Sequence, residues 1–384
     1  MASHFRALTI EDVRRETADC VSVAFAIPDS FREEFRWRQG QNITLRTRIN
    51  GEEIRRSYSI CSSPLDNQLR VAIKKVPGGV FSTYANEQLQ KGHVIDVLPP
   101  SGKFYTELLP ENRKRYLAFA AGSGITPILS LIKTTLAVEP GSHFTLVYGN
   151  RHRGSILFRE ELEGLKNRYM DRLSLLHILS REQMDNPLNQ GRIDTGKCGE
   201  LCPRLIDLGM VDEVFLCGPE EMIFMLKDWL EQQGVEARKI HFELFHTRGE
   251  RTREGAADTR SGSSVRGLTV GGAAVGREFA VSAGSSSRAE KVSRVTVRLD
   301  GVSHDFDLPY DGSSLLDAAL MEGVDLPFAC KGGVCCTCRA RLMEGQVEME
   351  VNYALEADEL AAGFILTCQS HPRTDRVIVD YDSK

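Results

Sequence analysis

The chain has no excess of positive charge, no long uninterrupted apolar run and no apolar export signal at its start. Its 384 residues carry 48 Lys and Arg against 53 Asp and Glu, and the net charge of −5 argues against nucleic acid as the main partner. The most apolar stretch, residues 117–132, is interrupted by Gly122, Gly124 and Pro127, so it is not expected to cross a membrane. Without an export signal, the ten cysteines are expected to stay reduced in the cytoplasm rather than to form disulfides.

Four of these cysteines have the spacing of a metal site. Cys330, Cys335 and Cys338 form a C-x4-C-x2-C pattern, and Cys368 follows far downstream. This is the pattern of a plant-type 2Fe-2S ferredoxin, in which a tight loop supplies three thiolates and a separate segment supplies the fourth. Zinc sites more often show two C-x2-C arms, and only one such pair is present. We therefore predict these four cysteines as ligands of a 2Fe-2S cluster.

Two glycines inside the loop, Gly332 and Gly333, fit this interpretation because they can turn backbone N–H groups toward the cluster sulfurs. Cys336 lies between the ligands and is interpreted as a small loop residue. From residue 293 to the end the chain carries 8 Lys and Arg against 16 Asp and Glu. Such an acidic module is expected to dock on a basic face of a protein that accepts its electrons.

The sequence predicts a multidomain protein. Residues 1–109 contain short alternating strands separated by turn signals, which favours an antiparallel β-barrel. Residues 110–246 alternate apolar strands with helical stretches, which is typical of an α/β domain with a parallel sheet. Residues 247–292 are rich in Gly, Ser, Ala and Arg and are predicted to be a flexible linker. Residues 293–384 show the strand, strand, helix order of a β-grasp (α+β) ferredoxin domain.

Within the linker, the apolar stretches 268–275 and 279–281 are more hydrophobic than a tether requires. They could dock as a strand, but the flexible interpretation is favoured.

Two segments of the barrel are candidate cofactor contacts. Arg56 and Tyr58 share one face of a strand, so they can offer a guanidinium to a pyrophosphate and a phenol ring to an aromatic cofactor. An exposed arginine in a cross-strand pair is the alternative. The Pro77–Gly79 turn then runs into a helix start with Ser82, where backbone N–H groups suit a phosphate. A helix N-cap at Ser82 without a ligand is the alternative.

Three further segments are candidates in the α/β domain. The glycines of the loop 121–127 follow a strand and permit close approach of a diphosphate, although Pro127 replaces the third glycine of the G-x-G-x-x-G pattern. Ser180 and Arg181, with Arg192 nearby, provide what a ribose 2′-phosphate needs, and a solvated loop arginine is the alternative. Cys217 precedes a Gly-Pro turn and is most simply a buried structural cysteine.

The order of these motifs resembles the ferredoxin–NADP reductase superfamily, and the added C-terminal ferredoxin resembles its oxygenase reductases. The segments 330–339 and 242–245 are most similar to the reductase subunits of phenylacetyl-CoA epoxidase (ring 1,2-epoxidase) complexes. The resemblance implies that Arg56 holds the FAD pyrophosphate, Tyr58 packs on the flavin, and Ser59 and Cys217 lie at the flavin N5 and at the nicotinamide. The remaining residues that it implies as cofactor contacts are Ser57, Gly79, Val80, Ser82, Gly122, Gly124, Thr126, Pro127, Ser180, Arg181, Arg192 and Phe245.

The resemblance also implies the activity. Electrons are expected to pass from NADPH, with NADH as the alternative, through FAD and the 2Fe-2S cluster to a separate oxygenase. A diiron epoxidase of phenylacetate degradation, in a multisubunit complex, is the favoured acceptor. Other acceptors (a steroid, alkane or aromatic hydroxylase, or a Rieske dioxygenase) and a stand-alone diaphorase or redox sensor remain open. No nucleic-acid or membrane partner is expected.

Overall fold

The computed structural model describes residues 4–245, 268–271 and 291–383. Its contacts divide the chain into two compact units, one spanning Phe5–Phe245 and the other holding the described residues from 268 onward together with His4. The first unit contains two sheets and the second contains two more. Among the helices of the described ranges, none has the length and apolar character that a membrane span requires. The domain limits at 109/110, 246/247 and 292/293 stay predictions.

Six antiparallel strands and one helix form the first part of the first unit. They are β1 (Arg6–Thr17), β2 (Cys20–Ala26), β3 (Asn42–Ile49), β4 (Glu52–Ser59), β5 (Leu69–Lys74), α1 (Val80–Glu87) and β6 (Val94–Val97). The sheet order is β4-β3-β6-β1-β2-β5, and a bridge between Ile60 and Val71 joins its two edges. Inward-facing side chains such as Leu8, Ile43 and Val71 are fully buried. The predicted antiparallel β-barrel is confirmed.

Five parallel strands alternate with helices in the second part of this unit, as predicted. They are β7 (Arg115–Ala121), α2 (Ile125–Val138), β8 (His143–Asn150), α3 (Arg159–Arg168), β9 (Leu173–Leu179), α4 (Thr195–Leu205), β10 (Glu213–Gly218), α5 (Glu220–Gln232) and β11 (Ile240–Leu244). The sheet order is β11-β10-β7-β8-β9, so the winding direction reverses between β7 and β10. Open parallel sheets bind ligands outside the carboxyl ends of the strands at such a reversal.

The backbones of two segments touch at this reversal. Gly124 lies in the turn between β7 and α2, and a Cβ atom there would be 2.1 Å from the carbonyl oxygen of Cys217 and 2.9 Å from the amide nitrogen of Gly218. No side chain fits at such distances, so the turn after β7 can approach the end of β10 only because residue 124 is glycine.

Buried hydrogen bonds join α2 to the barrel. The Ser130 hydroxyl donates to the carbonyl oxygen of Ser62 over 2.7 Å, and the hydroxyls of Thr134 and Ser63 lie 2.9 Å apart. All four residues are buried. A buried polar group that loses its partner costs about 1–3 kcal/mol, so these pairs hold the barrel and the parallel sheet in one arrangement.

The carboxylate of Glu139, at the end of α2, fixes the segment that connects the two sheets. Glu139 is fully buried, and it accepts hydrogen bonds from Leu109 N–H, the Asn112 amide, the Tyr116 hydroxyl and the Ser142 hydroxyl at 2.6 to 3.2 Å. Four donors compensate the cost of burying this carboxylate. The connecting segment is therefore bound to the α/β domain at two of its residues.

The second unit has the predicted β-grasp core. Its elements are β12 (Leu268–Gly271), β13 (Val292–Leu299), β14 (Val302–Pro309), α6 (Leu315–Met321), β15 (Arg339–Glu344), β16 (Gln346–Met349), α7 (Ala357–Ala361), β17 (Phe364–Leu366), β18 (Ser370–Pro372) and β19 (Arg376–Asp380). The main sheet has the order β14-β13-β19-β15-β17, in which β13 and β19 are parallel and the other pairs are antiparallel. Leu315, Leu316 and Ala319 of α6 are buried in the core of this unit.

Strand β12 corrects the prediction of a flexible linker over 247–292. Leu268–Gly271 pair in antiparallel register with β16, and Val270 is buried in the same core as Val347 and Met349. The prediction is wrong for these four residues, where the alternative of a docked strand holds, and for Val292, which begins β13. The physical reason is that β16 has an edge that an uncharged, apolar segment can pair with. The rest of the predicted linker up to residue 290, including 279–281, lies outside the described residues.

We expect Gly124→Ala to lower the stability of the α/β domain by about 2–3 kcal/mol, because its Cβ would overlap backbone atoms that cannot rotate away. Native-state hydrogen exchange of the β7 and β10 amides measures this change. Gly164→Ala is the control, since nothing lies within 4 Å of a Cβ at that position on α3. The control is expected to be neutral or slightly stabilising. Equal exchange rates in the two variants would contradict the proposed contact.

Candidate cofactor and nucleotide sites

One face of β4 carries the predicted flavin residues. Arg56 and Tyr58 lie on the same face, and Arg56 is exposed while Tyr58 is half-buried. The ring of Tyr58 lies 5.6 Å from the ring of Phe81 in the first turn of α1. A guanidinium and a phenol ring therefore stand on the side of the barrel where α1 begins, which fits a dinucleotide. Ser57 lies on the opposite face, where its hydroxyl is 3.0 Å from the hydroxyl of Thr44.

The turn before α1 holds the predicted phosphate residues Gly79, Val80 and Ser82. The helix begins at Val80 with Gly79 as its N-cap, so the alternative of an N-cap at Ser82 is wrong. The Ser82 hydroxyl accepts a hydrogen bond from Val76 N–H at 3.1 Å and donates to the Gly79 carbonyl at 3.2 Å, which stabilises the turn. Backbone N–H groups in the first turn of a helix have no acceptor within the helix, and these suit a phosphate.

Ser59 and Cys217 come together with Glu243, a residue that was not predicted from the sequence. The Ser59 hydroxyl donates to the carboxylate of Glu243 over 2.7 Å, and Glu243 is the neighbour of Cys217 across β10 and β11. Burial, reinforced by the charge of Glu243, raises the pKa of the Cys217 thiol well above its usual value, so the thiol stays neutral. Glu243 belongs to the segment 242–245. The signal in the sequence that could have identified it is an acidic residue at the end of the last strand of the sheet.

The predicted diphosphate loop is held in place from within. Gly122 has a φ of +53°, and its carbonyl accepts a hydrogen bond from the buried Tyr148 hydroxyl at 2.9 Å. The Thr126 hydroxyl donates to a carbonyl of the same loop at 3.0 Å. Pro127 is the third residue of α2, where its missing N–H breaks no helical hydrogen bond. Gly122, Gly124, Thr126 and Pro127 therefore form one preformed turn at the sheet reversal.

The predicted 2′-phosphate residues are brought together at the carboxyl end of β9. Ser180 and Arg181 follow the strand and are exposed. The N–H of Gly191 donates to the carbonyl of Leu179 over 2.9 Å, which places the exposed Arg192 beside this strand end. The hydroxyl and two guanidinium groups thus lie on neighbouring backbone segments.

Phe245, predicted to cover the flavin, directly follows β11 and is 40% exposed. It comes two residues after Glu243, which contacts Ser59 of the barrel. The end of β11 therefore lies next to the end of β4, and the role of Phe245 stays a prediction.

The four predicted cluster ligands form two pairs of thiols. Hydrogen bonds join Cys330 to Cys335 and Cys338 to Cys368. The bond from Cys335 lowers the pKa of the Cys330 thiol to about 7, and the bond from Cys338 lowers the pKa of Cys368. Within the described residues, no single point is surrounded by three or more metal-binding side chains. The thiols also interact electrostatically across the two pairs, and this arrangement fits a cluster in which each of two irons takes two thiolates.

N–H groups point at sulfurs of both pairs. Gly332 N–H donates to the sulfur of Cys330 at 3.3 Å, and the side-chain amide of Gln369 lies 3.5 Å from the sulfur of Cys368. Gly333 has a φ of +78°, which glycine adopts without strain. Such donors stabilise thiolate charge, so this loop fits a 2Fe-2S cluster.

Cys336 belongs to neither pair. Its thiol donates to the carbonyl oxygen of Ala354 over 3.1 Å, and its φ is +52°. Its side chain is therefore directed away from the four ligands, as expected from the sequence.

Three family models match consecutive parts of the chain. An oxidoreductase FAD-binding domain matches residues 7–105, an oxidoreductase NAD-binding domain matches 119–228, and a 2Fe-2S iron-sulfur cluster binding domain matches 297–373. These matches cover most of the barrel, most of the parallel sheet and the cysteine loop. The FAD, NAD and 2Fe-2S domains that the sequence predicts are confirmed.

Known proteins match the chain nearly from end to end. A subunit of the 1,2-phenylacetyl-CoA epoxidase of Escherichia coli (strain K12) is 43% identical over 99% of this chain and 98% of its own. The 3-ketosteroid-9-alpha-monooxygenase, ferredoxin reductase component, of Rhodococcus rhodochrous is 31% identical over 97% and 96%. The structure of phthalate dioxygenase reductase shares the fold, with a TM-score of 0.54 and 20% identity over 98% of both chains. The chain belongs to the family of oxygenase reductase components that combine an FAD-binding, an NAD-binding and a 2Fe-2S domain.

Proposed function

We propose that this chain transfers electrons from NADPH, through FAD and a 2Fe-2S cluster, to a phenylacetyl-CoA epoxidase of phenylacetate degradation. The observation that carries the proposal is the end-to-end match of 43% identity to a component of such an epoxidase. When bound, FAD would accept two electrons at once as a hydride, and the cluster would carry electrons one at a time. The residues of the chain bind and orient these groups and exclude water from them.

At the flavin, Arg56 and the first turn of α1 hold the pyrophosphate, and Tyr58 packs on the ring system. Ser59 and Cys217 are buried, which keeps water away from the place where the two nucleotides meet. The Ser59 hydroxyl donates its hydrogen bond to Glu243 over 2.7 Å. The Ser59 oxygen can therefore only accept a hydrogen bond from a cofactor N–H. Positioning, rather than acid–base chemistry, is the contribution of these residues.

At the nucleotide, the turn with Gly122 and Gly124 carries the diphosphate at the start of α2. Ser180, Arg181 and Arg192 bind the 2′-phosphate, which NADH lacks. Exposed guanidinium groups on neighbouring segments support this assignment, because arginine forms strong hydrogen bonds to phosphate. The chain is therefore proposed to prefer NADPH.

The acceptor is proposed to be a diiron oxygenase within a multisubunit complex in the cytoplasm. The E. coli relative is itself named as one subunit of its epoxidase, which supports such a complex for that relative. The part of the chain from residue 293 carries 16 Asp and Glu against 8 Lys and Arg, and this charge favours a basic docking face on the acceptor.

We expect Cys335→Ser to abolish cytochrome c reduction while ferricyanide reduction by the flavin stays within about twofold, because only the path through the cluster is cut. Steady-state assays with both acceptors measure this split. Cys336→Ser is the matched control and is expected to keep both activities, since its thiol bonds to a carbonyl outside the two pairs. Equal loss of both activities in Cys335→Ser would contradict the electron order.

Reconstitution with separate oxygenase components identifies the acceptor. We expect the oxygenase of a phenylacetyl-CoA epoxidase to turn over at least about tenfold faster than that of a 3-ketosteroid-9-alpha-monooxygenase, with rates that fall as salt screens the docking charges. Product formation per NADPH oxidised is the measurement. Equal rates would remove the epoxidase assignment, and coupling to neither oxygenase would favour a stand-alone diaphorase.

Arg181→Ala tests the preference for NADPH. The variant is expected to raise the KM for NADPH about tenfold or more, in line with the loss of a charged hydrogen bond, and to change the KM for NADH little. Ferricyanide reduction at varied NADPH and NADH gives both constants. An unchanged ratio of the two constants would remove Arg181 from the 2′-phosphate site.

A further inference from the structure

The loops after β8 and β9 continue to pair beyond the ends of their strands. Ser180 N–H donates to the carbonyl of Asn150 over 2.9 Å, and Arg181 N–H donates to the carbonyl of Arg151 over 2.8 Å. The backbone of Arg153 therefore lies close to the segment that carries the proposed 2′-phosphate residues. This places a second group of basic residues, from the β8 loop, next to Arg181 and Arg192.

The loop after β9 carries three carboxylates, Glu182, Asp185 and Asp194, and Glu182 is the one adjacent to Arg181. Glu182 directly follows Arg181, and a free carboxylate there would repel a phosphate and compete for the guanidinium of Arg181. In the structure Glu182 is bound to Arg153 in two ways. Its Oε1 lies 3.2 Å from Arg153 Nε, and its Oε2 accepts the backbone N–H of Arg153 at 2.7 Å.

The other arginines of the group are not paired in this way. Arg151, Arg181 and Arg192 are all exposed, and none of them forms an ion pair with a residue in the described parts of the chain. The charge of Glu182 is thus compensated by Arg153, while Arg151, Arg181 and Arg192 have no carboxylate partner within the described ranges.

We propose that Arg153 is a positioning residue for NADPH specificity, which acts by compensating the charge of Glu182 next to the proposed 2′-phosphate site. This inference rests on the proposed role of Arg181 in binding the 2′-phosphate. Without the Arg153 side chain, the carboxylate adds an uncompensated negative charge beside a doubly charged phosphate. NADH has a neutral hydroxyl at this position, so it does not experience the same repulsion. The diphosphate is common to both nucleotides, so any effect on its binding cancels when kcat/KM for NADPH is divided by kcat/KM for NADH.

The experiment compares Arg153→Ala, Glu182→Gln and the double variant in the full-length holoprotein. The measured quantity is the ratio of kcat/KM for NADPH to that for NADH, with ferricyanide as the acceptor. We expect Arg153→Ala to lower this ratio about three- to tenfold, as Coulomb repulsion across a solvated gap predicts, and to do so less at high salt. Glu182→Gln in the same chain is expected to restore the ratio, and Arg153→Lys is expected to retain most of it.

A matched control and a second measurement separate this role from a structural one. Arg159→Ala removes an exposed arginine that is paired with Glu163 at 2.8 Å on α3, and it is expected to leave the ratio unchanged. Calorimetric binding of 2′,5′-ADP and of 5′-ADP to the same variants measures phosphate recognition without catalysis. The affinity for 2′,5′-ADP is expected to fall in Arg153→Ala and to recover in the double variant.

Two results would overturn the inference. One is an equal loss with both nucleotides in Arg153→Ala, and the other is a loss that Glu182→Gln does not restore. If Arg181→Ala abolishes the NADPH preference while Arg153→Ala leaves it intact, this inference fails and the proposed nucleotide site stands. If the unmodified protein binds both ADP compounds equally, the proposed 2′-phosphate site fails, and the role of Arg153 fails with it.

Discussion

The contact between the turn after β7 and the end of β10 is the constraint on which the nucleotide site depends. Because residue 124 is glycine, its backbone reaches the carbonyl of Cys217 at a distance that any Cβ would prevent. The contact fixes Cys217 directly beneath the diphosphate turn, and strand pairing then fixes Glu243 beside Cys217. The hydrogen bond from Ser59 to Glu243 extends the same arrangement to the end of β4 in the barrel. Three residues from distant parts of the sequence are thus positioned by one backbone contact.

The barrel and the α/β domain are held together by polar groups rather than by a large apolar seam alone. The pairs Ser130–Ser62 and Thr134–Ser63 are buried, and a shift of one domain against the other would separate both of them. Glu139 adds a fully buried carboxylate with four donors at the segment that joins the two sheets. Buried polar networks of this kind tolerate one geometry, because any other leaves a group unsatisfied. Such rigidity suits a reaction in which two cofactor rings must be held in a fixed relation.

The sequence could predict those features whose pattern lies within one short segment of the chain. The cysteine spacing and the glycine turns are local patterns, so the sequence could name the four candidate ligands and a candidate diphosphate loop, and the structure shows these cysteines in two hydrogen-bonded pairs and this loop at the sheet reversal. Glu243 and β12 depend on pairing between distant segments, and a carboxylate on a strand or a short apolar run has many meanings in isolation. The alternative of an N-cap at Ser82 was wrong for a related reason, since the start of a helix is decided by backbone geometry that the pattern does not contain.

The chain carries opposite charges in two of its regions. The loops after β8 and β9 gather exposed arginines, and the carboxylate next to Arg181, Glu182, is held by Arg153, which fits the proposed binding of a phosphorylated nucleotide there. The part from residue 293 has twice as many acidic as basic residues, which fits the proposed docking on a basic protein face. A charge of one sign over the whole chain would attract one of these partners and repel the other. Divided in this way, the charges fit the proposed recognition of an anionic donor and a cationic acceptor surface without competition between them.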